Sequence, residues 1–134
     1  MKQQYLIITL AGLLLASCSN HKAQEKDAMN EVIKVHDVAM EKSEQVVKNN
    51  ILLDSLIKTK AVDSATASNV TQNLSAADKA MEDWMHQFEV EHEGKSHDET
   101  MQYMADQKTQ IEKVNKQLDA AINQSNQYLS TQKK

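Results

Sequence analysis

The chain has 134 residues, a formal net charge of −4, no proline, two glycines and one cysteine. A single cysteine excludes a disulfide framework, and the acidic balance argues against nucleic acid as a partner. Every basic residue is lysine, so the bidentate fork with which arginine reads phosphates and carboxylates is absent. One Trp, one Phe and three Tyr stand in a chain rich in Ala, Lys, Glu, Gln, Leu and Met. That is an all-helical composition with a narrow aliphatic and methionine seam, leaving little room for a deep substrate pocket.

The chain opens on a leader. Lys2 gives it a positive start, Tyr5 to Leu15 are uncharged and mostly apolar, and Ala16 and Ser17 are the small residues a peptidase site requires. The apolar run falls short of the roughly 20 residues that span a bilayer as a helix, so residues 1–17 read as a cleaved signal and not as an anchor helix. Leu15-Ala16-Ser17-Cys18 resembles the lipobox of bacterial lipoproteins. The resemblance implies that the Cys18 thiol receives a diacylglycerol, that the bond before it is cut, and that the new amine is acylated. Several acyl chains, at about 0.8 kcal/mol per buried CH₂, hold a protein firmly on a bilayer. Ser19 after the cysteine resembles the outer-membrane sorting choice, where aspartate retains a protein on the inner membrane. Asn20, His21 and Lys22 stand where some Bacteroidota lipoproteins carry an acidic surface-export stretch, which leaves the periplasmic face as the expectation. The mature chain then carries 14 lysines against 19 acids, a formal charge of −5.

Residues 18–25 are expected to be a short tether, and 26–134 a three-helix bundle. In the first helix, about 26–60, Met29, Val32, Ile33, His36, Met40, Val47, Ile51 and Ile57 recur at steps of three and four, with Ala28, Val35, Ala39, Val46 and Leu53 widening the face. The second, about 63–93, carries Val70, Asn73 or Leu74, Ala77, Met81, Trp84, Met85, Phe88 and His92. Its start is open between 63 and about 75, because Ser64, Thr66, Ser68, Asn69 and Thr71 are mediocre helix formers and Ser75 with Asp78 offers another cap. Gly94 reads as a left-handed helix stop and Ser96 with Glu99 as a capping box. The third helix, about 97–130, carries Met101, Met104, Ile111, Val114 or Asn115, Leu118, Ile122, Ser125 and Leu129. Helices of about thirty residues, roughly 45 to 50 Å long, with connections this short are antiparallel in sequence order. The fold expected is an all-α, up-down-up three-helix bundle, with one long coiled coil as the alternative.

Folding back in this way gathers His36, Met40, Trp84, Phe88, Met101 and Met104 at the end where the first helix begins, beside the membrane, while the other half is Val, Ile, Leu and Ala. Thioethers and imidazoles are ligands suited to Cu(I), and a His and Met pair across a bundle can hold haem. His36 with Met40, Met81, Met85, Met101 or Met104 is therefore a candidate copper or haem site. The competing and favoured reading is packing, since methionine is an adaptable core filler. His21, His86 and His97 read as solvated. Catalysis has no support: no nucleophile elbow, phosphate loop or metalloprotease helix occurs, Ser43 with His36 lacks an orienting third group, and the Glu82 to Glu93 acids read as a solvated face.

With the lipobox, Glu31 to His36-Asp37 and Met40, and Ala80-Met81-Glu82-Asp83-Trp84-Met85-His86-Gln87-Phe88, the chain resembles a group of small Bacteroidota helical lipoproteins that often carry the label "viral A-type inclusion protein". That resemblance implies a helical lipoprotein of unknown function with no catalytic residues. Two functions are expected from the sequence. One is a membrane-anchored, non-catalytic interaction or envelope-maintenance module with an envelope protein as partner, and the other is a periplasmic copper or haem binder.

Overall fold

A computed structural model describes residues 2–132, with side chains described from Asn20 to Gln132. Three helices follow one another among them: α1 (Lys2–Lys58), α2 (Ser64–Gln87) and α3 (His97–Gln132). The expected leader of residues 1–17 and the expected lipidation site Cys18 lie outside the residues whose side chains are described.

The helices pack pairwise as an up-down-up bundle. Partners on α1 and α3 rise together, Glu25 with His97, Lys42 with Asp119 and Asn49 with Ser125, so these two are parallel. On α2 the order reverses, with Asp78 bonded to Ser43 and Ser75 to Asn50, so α2 runs antiparallel between them. The all-α three-helix expectation holds and the single long coiled coil does not.

The core is a coiled-coil seam, because on every helix the buried positions repeat at seven residues. Leu74 and Met81 alternate with Val70, Ala77 and Trp84 on α2, and Ile111 and Leu118 alternate with Gln107, Val114 and Ala121 on α3. On α1 the repeat is Val32, Ala39, Val46 and Leu53. Here the expected face is corrected. Ile33, Met40, Val47 and Ile51, read as part of the inward stripe, are 38%, 36%, 42% and 66% exposed. One residue further along a helix is a rotation of about 100°, enough to carry the larger apolar residues outward and the smaller ones in.

Polar contacts fix that rotation. Asn49, 5% exposed, accepts from Gln45 Nε2 at 2.8 Å and donates to Ser125 Oγ at 2.7 Å and Asn126 Oδ1 at 2.9 Å. Lys42 Nζ donates to Asp119 at 2.7 Å, while Ser43 and Asn50 bond Asp78 and Ser75 on α2. These four positions of α1 meet matching groups only in this orientation, and a buried asparagine with all its partners is a device that sets register.

The helix ends have local causes. α1 stops at Lys58, not 60, because Lys60 adopts φ 57 and the N–H groups of Lys60 and Ala61 bond the carbonyls of Ile57 and Leu56, each at 3.0 Å. This is a Schellman ending with lysine at the position glycine usually fills. α2 starts at Ser64, which settles the open choice between 63 and 75, because the Asp63 carboxylate caps it by accepting from Thr66 N at 2.8 Å. α2 ends at Gln87 and not at 93, with Phe88 extended at ψ 119. Glu89, Glu91 and Glu93 oppose the negative C-terminal pole of a helix, and Val90 between them is β-branched. Gly94, at φ 81, is a loop residue and not the helix stop. The capping box is present: Ser96 N donates to Glu99 Oε2 at 2.8 Å and Glu99 N to Ser96 Oγ at 3.3 Å.

The expected tether is also corrected from Asn20 onward, where α1 is already helical. His21 to Lys26 contain no glycine or proline, and their helix is docked to the start of α3 through Glu25.

Candidate functional site

The bundle end nearest the start of α3 is built differently from the rest. The loop after α2 carries Phe88 and His92 back over α3, making a chain of rings. His36 lies 5.8 Å from Trp84 between centroids, Trp84 4.9 Å from Phe88, Phe88 6.2 Å from Tyr103, and Tyr103 4.9 Å from His92. Aromatic pairs at these separations add to the stabilisation that burial alone provides. Tyr103 also ties the loop down: its hydroxyl accepts from Glu89 N at 2.7 Å, and Lys95 Nζ sits 5.0 Å from its ring centroid. Lys95 reaches Glu89 at 2.8 Å, holding that carboxyl below its ordinary pKa while its own ammonium is raised above the usual value.

The gathering of soft residues at this end is real, but they do not face one centre. His36, half-buried, has its Nδ1 3.0 Å from Asp37 Oδ1 and its ring against Trp84. Met81 and Met104 are buried in the seam, at 1% and 2% exposure. Met40 and Met85 lie on the surface. The clefts divide the set further: Met40 lines one with Val47, Met101 another with Ala28 and Ile33, and Met104 a third with Met29 and His92. Copper or haem held between His36 and Met40, Met81, Met85, Met101 or Met104 would need ligands to leave separate environments. Among the described residues no group of three or more His, Cys, Asp or Glu side chains is arranged to hold a metal ion. Several buried polar atoms here lack hydrogen-bond partners, among them Trp84 Nε1 and both ring nitrogens of His92.

Two features were missed in the sequence. His21 and His97, read as solvated, stack face to face with centroids 4.0 Å apart and planes 7° apart, and His97 Nδ1 lies 2.8 Å from Glu25 Oε1. The signal was the four-residue spacing of His21 and Glu25, which puts both on one helix face. The second is the outward apolar stripe of α1. Of the large apolar side chains exposed among the described residues, Ile33, Val38, Met40, Val47, Ile51 and Leu52 all belong to α1, Met85 belongs to α2, Val90 to the loop, and none to α3. Between α1 and α2 this stripe borders a groove of ≈ 450 Å³, lined by Val47, Ile51 and Ile57 on one wall and Thr71, Ser75 and Asp78 on the other.

In comparisons with protein families, with characterised proteins and with solved structures, the chain matches none.

Proposed function

We propose that the chain is a lipid-anchored, non-catalytic helical module that engages another protein of the cell envelope. The observation that carries this reading is the outer face of α1, where Ile33, Met40, Val47 and Ile51 stay in water although α3 exposes no large apolar side chain. Contiguous apolar surface rimmed by polar residues marks an interaction site. A chemical role is less well supported, since the His and Met side chains are dispersed among separate clefts.

The anchor in this proposal is Cys18 in its lipobox context, and Ser19 with Asn20, His21 and Lys22 supports the periplasmic face of the outer membrane as its location. The test is metabolic labelling with a palmitate analogue, followed by membrane flotation. Wild type is expected to take up label and float with outer-membrane vesicles, and Cys18→Ser to lose both. Unlabelled wild-type protein in the soluble fraction would overturn the anchored reading.

A further inference from the structure

We infer that the groove between α1 and α2 receives one more helix, amphipathic and basic, from another protein. The inference rests on the interaction-module reading and specifies its surface and the chemistry of its partner. Ile33, Met40, Val47 and Ile51 fall within about 40° of one another around α1 and extend over about 27 Å of its length. That is the stripe a docked helix covers with its own inner positions. Met85 stands exposed on α2. A shallow hollow of ≈ 300 Å³ on α1, bordered by Met40 and Val47, shares Val47 with the open ≈ 450 Å³ groove between α1 and α2. A helix laid there would turn three helices into four.

Charge selects the occupant. Asp37, Glu44 and Asp54 flank the stripe on α1, and Asp78 and Glu82 lie on α2. The nearby Lys48 and Lys58 are already engaged, with Glu44 at 3.8 Å and Asp54 at 2.5 Å. Among the described residues, Asp37, Asp78 and Glu82 have no lysine within ion-pair distance, so the rim is left negative. A second copy of this chain fits poorly, because it brings the same negative rim of Asp37, Asp78 and Glu82 to the contact. Like charges across an interface are a strong deterrent. A helix with lysines or arginines beside its apolar face meets the same rim favourably.

The experiment titrates the full chain with a fluorescent three-heptad peptide that has leucines at its inner positions and lysines at its flanks. The controls are the same peptide with glutamates at the flanks, and a scramble that keeps the lysines but destroys the stripe. The lysine peptide is expected to bind one to one, and both controls to bind at least about tenfold more weakly, which is about 1.4 kcal/mol. Val47→Glu with Ile51→Glu is expected to abolish binding, and Asp37→Asn with Glu82→Gln to weaken it. Both double variants should keep the wild-type helical spectrum and melting temperature, because all four residues are exposed. Equal binding of the lysine and glutamate peptides, or full binding by the Val47 and Ile51 variant, overturns the inference. So does a wild-type dimer in sedimentation that this variant dissolves, since the occupant would then be a second copy. Cys18 labelling is read separately: an acylated chain that ignores the peptide removes the groove proposal alone, and a binding chain without acyl groups removes the anchor alone.

Discussion

α1 and α3 lie side by side and parallel, and they distribute their apolar residues in opposite ways. On α3 the large ones point in, at Met104, Ile111, Val114 and Leu118, and the outward positions are polar. On α1 the inward repeat is Val32, Ala39, Val46 and Leu53, interrupted by Lys42, Ser43, Asn49 and Asn50, while six large apolar residues face out. A helix whose only task is to complete a core has no reason to keep such residues in water. The contrast separates a helix with one apolar face from one with two, and the proposed docking function rests on the second face of α1.

The sharpest way to break this comparison is to truncate one apolar residue on each helix. Leu118→Ala, at a fully buried position, is expected to cost about 2 to 5 kcal/mol in urea unfolding, and Ile51→Ala to stay within about 0.5 kcal/mol. Similar losses at the two sites would show that the α1 stripe is core after all. Next in size, Asn49→Ala should cost about 1 to 3 kcal/mol, because it strips partners from Gln45, Ser125 and Asn126 in a buried layer. Asn50→Ala, which removes one exposed bond to Ser75, should cost clearly less in the same assay.

Smaller still is the left-handed residue that ends α1. Lys60→Gly removes the strain of φ 57 and is expected to raise stability by about 1 kcal/mol, read as a higher urea midpoint at unchanged slope.

The charge network sets a pH window. Asp63, capping α2 through Thr66, and Glu99, bonded to Ser96, are held below the ordinary carboxylate pKa, as is Glu31 beside Lys34 and Lys108. A carboxyl depressed in the folded state adds stability above its unfolded pKa and loses it as pH falls through the folded value. Melting temperature should therefore be flat near neutrality and fall below about pH 4.5, with a shallower fall in Asp63→Asn. An equally steep fall in that variant would remove the cap from the explanation. The smallest expected response is to metal: stoichiometric Cu(I) or haem retained by wild type and lost in His36→Ala would reverse the reading of the methionine-rich end.

What could be read in the sequence follows from which signals are local. The Ser96 and Glu99 box and most of the seams of α2 and α3 were legible because each of those helices has one dominant apolar stripe, although Met85, read into the α2 seam, is exposed. α1 has two stripes, rotated by one residue, and periodicity cannot say which of them turns inward. That choice is made by Asp119, Ser125 and Asp78 on the other helices, information that is not local to α1. The end of α2 was misplaced for a related reason. Phe88 and His92 keep the helical spacing of the apolar series, yet they reach α3 from an extended loop, through Tyr103. Met40 leaves the His and Met set with the rotation of α1, while Met85 faces outward on α2 and Met101 and Met104 line separate clefts.

The parallel pairing of α1 and α3 has a mechanical consequence. The described start of α1 and the described end of α3 lie at opposite ends of the bundle, so tension applied between them acts along the helix axes. The bonds from Glu25 to His97, Glu31 to Lys108, Lys42 to Asp119 and Asn49 to Ser125 are then loaded together in shear. They are not opened one after another as in peeling. A chain pulled in this way yields only when the whole ladder slips.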